Sequence, residues 1–144
     1  MSTHISKNLR NRVRHADHSH CVYCLTNEAN SGIPLTVDHI QPISKGGSTC
    51  FENLCLACCS CNEFKASLTS ATDPLTGDSV PLFDPRAQQW DFHFRWSNEG
   101  TRIEGLTSIG RATVLALRMN RDVIVRARSR WVEGGWHPPE NREQ

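Results

Sequence analysis

No stretch of this 144-residue chain approaches the roughly 20 apolar residues that cross a bilayer. Its opening, Met1 to Lys7, also lacks the apolar core of a secretory signal. Both absences lead us to expect a cytoplasmic protein with no membrane partner, in a compartment where thiols stay reduced. An excess of one charge is missing too. The net charge of +1 argues neither for nor against a polyanionic partner. Acids are scarce only locally. Residues 1–16 carry Lys7, Arg10, Arg12 and Arg14 with no acid, and residues 111–130 set six arginines against Asp122 alone. Two such segments suggest a nucleic-acid face, or arginines that are simply solvated. An even cysteine count is lacking as well. Seven cysteines with no signal segment fit disulfides badly and metal binding better.

At 38% apolar and 22% charged, the composition excludes wholesale disorder and supports a modest core. A domain this small gains from a staple such as a metal. There is no internal repeat. Leu9 and Val13, four apart, predict a helix over 8–16. Residues 27–34 read as a loop, and residues 35–38 and 54–57 as short strands. A helix is expected after Cys58, to about Ser67. Asp73 to Asp78 reads as a turn-rich linker. Trp90, Phe92, Phe94 and Trp96 alternate with polar residues and predict a half-buried strand, paired back by Thr101 to Leu106. Thr107 is placed to cap a helix to about Asn120, with Ile109, Ala112, Leu115 and Met119 on one stripe. Asp122 is placed to cap a last helix to about Val132.

Two knuckles, Cys21-x2-Cys24 and Cys58-x2-Cys61, stand 33 residues apart. Four thiolates offered as two close pairs suit structural zinc. Cys55-x2-Cys58 has the same spacing. Choosing Cys58 with Cys61 keeps Leu54 and Leu56 on one strand face. It also puts the second knuckle at a helix start, where thiolate is favoured. Cys50, Cys55 and Cys59 are then spare. His20, beside Cys21, is either a neighbour of the zinc ligands or a rival to them.

Between the knuckles runs Val37-Asp38-His39-Ile40-x-Pro42-x-Ser44-Lys45-Gly46-Gly47, followed by Asn53-Leu54 and Cys61-Asn62-x-x-Lys65. A carboxylate can hold a hard divalent cation, and an imidazole near its operating pKa can take a proton from water. Asp38 and His39 are adjacent, so they serve one phosphate only if the strand bends or ends there. Pro42 favours an ending. A cation held by one carboxylate and the Asn62 amide keeps positions for water and phosphate oxygens.

This run resembles the HNH endonuclease motif, with His39 to Asn53 at 14 positions and Asn53 to Asn62 at 9. The likeness covers about residues 8–67. It implies an α+β protein with a ββα-metal core, stapled by zinc on Cys21, Cys24, Cys58 and Cys61. It implies that His39 is the general base, Asp38 a ligand of a catalytic Mg2+ or Mn2+, and Asn53 a brace of the connecting loop. Asn62 stands where the motif ends in His and implies a second, weaker metal ligand. Lys65 and Lys45 are candidate phosphate contacts. The implied activity is metal-dependent hydrolysis of DNA, expected double-stranded, leaving 5′-phosphate, one strand per site. The rival readings are a zinc-knuckle module that binds DNA or protein without cutting, and a nuclease directed at RNA.

The tail resembles an extension found on a subset of small stand-alone bacterial HNH proteins. Asp73-Pro74-Leu75-Thr76-Gly77, Gly110-Arg111-Ala112-Thr113 and Gly135-Trp136-His137-Pro138-Pro139 carry that likeness. Its arginines would grip phosphates, form a dimer contact or buttress the core. The expected organisation is a core with knuckles over 1–68, a linker over 69–85, and a β-hairpin with two helices over 86–144.

Overall fold

The structure is a computed structural model that describes residues 4–139. Ser6 caps helix α1, Lys7–Ala16, by accepting a hydrogen bond from the Leu9 amide, and Val13 on the inner face is fully buried. The stretch expected to be a loop holds one helical turn, α2, Glu28–Ser31, capped by Asn27 and closed by Gly32 in the left-handed region. A forked ion pair, Arg14 to both Glu28 carboxylate oxygens at 2.8 Å, ties it to α1.

Strands β1, Thr36–His39, and β2, Leu54–Ala57, form an antiparallel hairpin that pairs Asp38 with Cys55 and His39 with Leu54. All four β2 residues are buried, because the strand is covered on both faces. Leu54 and Leu56 join Ile5, Val13 and Leu35 in one cluster, while Cys55 and Ala57 face a larger one. Helix α3, Cys59–Lys65, follows directly.

The segment read as a linker is ordered differently. Strands β3, Ser70–Thr72, and β4, Ser79–Pro81, pair antiparallel around the Asp73–Asp78 turn. Asp73 is fully buried, accepts from the Leu75 amide and the Thr76 hydroxyl, and receives a forked Arg111 pair at 2.9 and 2.8 Å. The aromatic alternation also misleads in part. Trp90–His93 is a helical turn, α4, that leaves Phe92 exposed, and only Phe94–Ser97 is strand β5. It pairs with β6, Arg102–Gly105. Thr107 caps α5, Ser108–Ala116, as expected, but the helix stops four residues short of Asn120 and leaves Leu115 exposed. Helix α6 is Asp122–Glu133. Its cap is Arg121, so Asp122 sits in the first turn and is not the cap.

The larger cluster is shared across the chain. Cys21, Tyr23, Cys24, Cys55 and Cys61 pack in it with Phe83, Trp90, Phe94, Ile103, Leu117 and Met119. The Trp90 indole donates to the Tyr23 carbonyl at 2.8 Å. Arg86 forks onto Asp17, and Asp17 accepts the Leu56 amide at 2.9 Å. The two parts of the chain thus share one apolar core. Among the described residues, no helix is long and apolar enough to cross a membrane.

The basic segments are largely used internally. Arg111 is paired, Arg128 is fully buried, and Arg118 and Arg121 lie over the Phe64 ring. Arg12 lies over Phe51 and Arg14 is paired with Glu28. Arg126 and Arg130 on α6 stay exposed.

Candidate active site and metal centre

The two knuckles converge. The sulfur atoms of Cys21, Cys24, Cys58 and Cys61 all lie within 4.8 Å of one another, three of the residues buried and Cys58 half-buried. Tetrahedral zinc with Zn–S bonds near 2.3 Å sets its sulfurs about 3.8 Å apart. Cys24 and Cys58 stand at 3.7 Å. Cys58 is the N-cap of α3, and its sulfur accepts the Cys61 amide at 3.4 Å. The preferred register of the second knuckle is therefore the one the fold uses. Cys55 lies elsewhere, against the Tyr23 hydroxyl, and burial pushes its thiol up to about 12.

The thiols are strained toward sharing protons. Hydrogen bonds from Cys21 pull Cys24 and Cys58 below the ordinary thiol range. Burial raises Cys21, and its thiol neighbours raise Cys61. A soft dication would relieve that conflict by making all four thiolates. These four residues could hold a metal ion, and four thiols suit a soft dication such as zinc.

The second constellation is built on β1 and α3. The Asn62 carboxamide faces both Asp38 oxygens, at 3.1 and 3.2 Å. If its nitrogen points at them, it donates two hydrogen bonds. If its oxygen does, a proton on the carboxyl or a cation must lie between, because two acceptors do not attract. Either way α3 delivers the amide to the carboxylate. Burial raises the Asp38 carboxyl above its ordinary range, and the Lys65 charge, the His39 amide and the His39 charge oppose the rise.

His39 is the last residue of β1, so the strand ends where the motif requires. Its Nε2 lies 3.0 Å from the Thr49 hydroxyl, and its ring bonds to none of Asp38, Asn53 or Asn62. Sequence reading missed Thr49. Its only signal is a place two residues after Gly47, inside a loop whose path the sequence does not specify. Asn53 accepts the Gln41 amide at 2.8 Å and donates to the Gln41 and Ser48 carbonyls at 3.0 and 2.8 Å. It therefore holds both ends of the loop between β1 and β2. Gly47 is required there, since any Cβ would collide with the Gln41 carbonyl and lie 2.9 Å from Asn53 Nδ2.

Lys45 is exposed on that loop. Lys65 is not where a phosphate contact would be. It is 2% exposed, and its Nζ donates to the His39 carbonyl at 3.3 Å. Its charge serves Asp38 and the end of β1. His20 turns its Nδ1 to the His18 carbonyl at 2.6 Å and is not among the clustered metal-type donors.

No curated protein and no solved structure matches the chain. Residues 21–67, a third of the chain, match the family model described as HNH endonuclease, a span that takes in both knuckles, Asp38, His39, Asn53 and Asn62.

Proposed function

We propose that the chain is a metal-dependent DNA endonuclease with a ββα-metal core. It would hydrolyse phosphodiesters at Asp38, His39 and Asn62 and use the four-cysteine zinc only as a staple. The observation that carries this reading is the Asp38–Asn62 contact beside an imidazole already anchored by Thr49. The donor set fits a hard cation, with a carboxylate and an amide oxygen on half-buried residues that leave room for further oxygen ligands. Asp38 and Asn62 would hold Mg2+ or Mn2+, which supplies charge neutralisation at the phosphate and the leaving oxygen.

The chain's own groups do the rest. In the tautomer that donates Nε2–H to Thr49, the His39 Nδ1 lone pair is free to take a proton from the attacking water. The Thr49 bond fixes the ring plane. The Lys65 bond to the His39 carbonyl fixes the strand end beneath it. Asn53 and Gly47 keep the loop that carries Thr49 in register with His39. Lys45 is available to a phosphate flanking the cut. A module that only binds has no need of an imidazole held ready beside a carboxylate–amide pair.

The test is nicking of supercoiled plasmid in Mg2+ or Mn2+, with and without chelator. Wild type should nick only with the cation. His39→Ala should lose about 10²- to 10⁴-fold in rate, the contribution of a general base, with an unchanged circular dichroism spectrum and melting temperature. A wild type inert with either cation, or a His39→Ala protein that cuts equally fast, would overturn the proposal. RNA cut in preference to duplex DNA would replace the substrate.

A further inference from the structure

Arg128, on α6, is fully buried. Its Nη1 donates to the Thr101 carbonyl at 3.0 Å and approaches the Asn120 amide oxygen at 3.4 Å. Its Nε and Nη2 have no partner. The guanidinium lies 5.4 Å from the centroid of Trp96, whose indole N–H is also buried and unpartnered. Trp96 packs against the cluster that contains Cys21, Cys24 and Cys61. These three nitrogens are the only buried side-chain polar atoms without a partner among the described residues, and all of them are donors. A buried charge left so incompletely bonded persists only where something nearby repays it. The place has a shortage of negative charge unless the neighbouring thiols are ionised.

Ionised thiols are what a metal there would create. Four thiolates around a dication leave two negative charges in excess, inside an apolar core. Burial lowers the Arg128 pKa. Against that act the charges of Cys24, Cys61 and Cys58, with Arg121 opposing them. Arg118 and Arg121, on the turn that leads into α6, lie over the Phe64 ring of α3, three residues beyond Cys61, so the start of α6 sits against the helix that carries the second knuckle.

We propose that Arg128 is the counter-charge of the tetrathiolate metal centre, a positioning residue supplied by the last helix that sets how tightly the knuckles hold zinc. The inference rests on the reading of the four cysteines as a zinc site and goes beyond it. It makes the centre incomplete without the C-terminal part of the chain. It also gives an arginine that reads as a phosphate contact an internal task.

The experiment uses the full chain, as wild type, Arg128→Met and Arg128→Lys. Zinc content and zinc surrender to a competing chelator are measured, along with the visible spectrum after Co2+ substitution. Arg128→Met keeps the stem and removes the charge. It should keep tetrahedral thiolate Co2+ bands and yet give up zinc about 10- to 100-fold more readily, the range found for groups just outside a metal's ligands. Arg128→Lys should stay within about threefold of wild type if charge is what matters. Arg128→Met holding zinc as tightly as wild type, or Arg128→Lys losing it as readily as Arg128→Met, overturns the inference. Should Arg128→Met fail to fold, Arg128→Gln set against Arg128→Lys decides the same question. Wild type that binds no stoichiometric zinc would instead sink the zinc reading itself.

Discussion

The four-cysteine cluster and the Asp38–Asn62 pair meet on one helix of seven residues, and they are opposites. Cys61 turns soft sulfur into the core, and Asn62, the next residue, turns a hard amide toward β1. The first site is closed, nearly all buried, and bounded by an apolar cluster shared with the C-terminal part of the chain. The second is half-buried, and the loop that follows β1 beside it is held by the hydrogen bonds of Asn53 to backbone. Under the proposed function the difference is a division of labour. A site that must keep its ion needs four ligands and no exit, whereas a site that must admit a phosphate can offer the ion only part of its ligand shell. Under that reading a metal on the four cysteines would fix the start of α3, the helix that presents Asn62 to Asp38.

That division can be broken most forcefully from the cysteine side. Cys58 is N-cap and neighbour of both apolar clusters at once, and would be a metal ligand as well. Cys58→Ser should lower stability by roughly 5 kcal/mol or more, since metal binding in such sites is folding free energy. Chelation with the thiols kept reduced should do the same to wild type. Thermal melting with zinc analysis checks both. A Cys58→Ser protein that retained zinc and its melting temperature would show that the staple lies elsewhere. By contrast, Asp38→Asn should change the melting temperature little, because no cluster of the core depends on that carboxylate.

A smaller intervention probes the open site alone. Gly47→Ala pushes a methyl group into the Gln41 carbonyl and the Asn53 amide, so the loop that carries Thr49 must shift. We expect about a 10- to 100-fold loss of nicking from misplacement of the His39 ring, and a stability cost of about 1–3 kcal/mol from the overpacking. Zinc content should not change. Loss of zinc from this variant would mean that the two sites are not separable in the way the helix suggests.

What the sequence made legible is what local chemistry dictates. The strand pair, the cysteine register and a helix starting just after Cys58 follow from spacing and residue type. The remainder depends on partners distant in the chain. Asp73 looks like a turn residue until Arg111, 38 positions on, claims it. Lys65 reads as a surface cation, because a long apolar stem can lie on a helix face or thread inward, and only the packed β1 settles which. Trp90 and Phe92 fit a period of two by accident of a single helical turn, too short for either periodicity to declare itself. Arg128 and Arg111 sit in a run that looks solvated, and only the folded tail buries the first and pairs the second with Asp73.

The mildest test concerns the thiolate side again, through a residue that binds no ion. His137 is 5% exposed and donates Nε2–H to the Gly100 carbonyl at 3.0 Å, with the Trp96 ring edge-on at 4.4 Å. Burial lowers its pKa to about 4, against the pull of the Gly100 carbonyl and with the help of the Arg128 charge. An unfolded histidine titrates near 6.5, so between those values the unfolded chain binds the extra proton and the folded chain does not. Stability from neutral His137 is therefore complete above pH 6.5 and drains away as pH falls toward 4. At pH 5.5 the loss is about 1 kcal/mol. His137→Phe removes the proton site, so its urea midpoint should fall less than that of wild type between pH 7 and pH 5.5, with nicking at neutral pH unchanged. Protons also compete for the thiolates on the same limb. Zinc retained in both proteins at pH 5.5 would assign the difference to His137, whereas equal slopes in wild type and His137→Phe would show that the acid sensitivity comes from other groups.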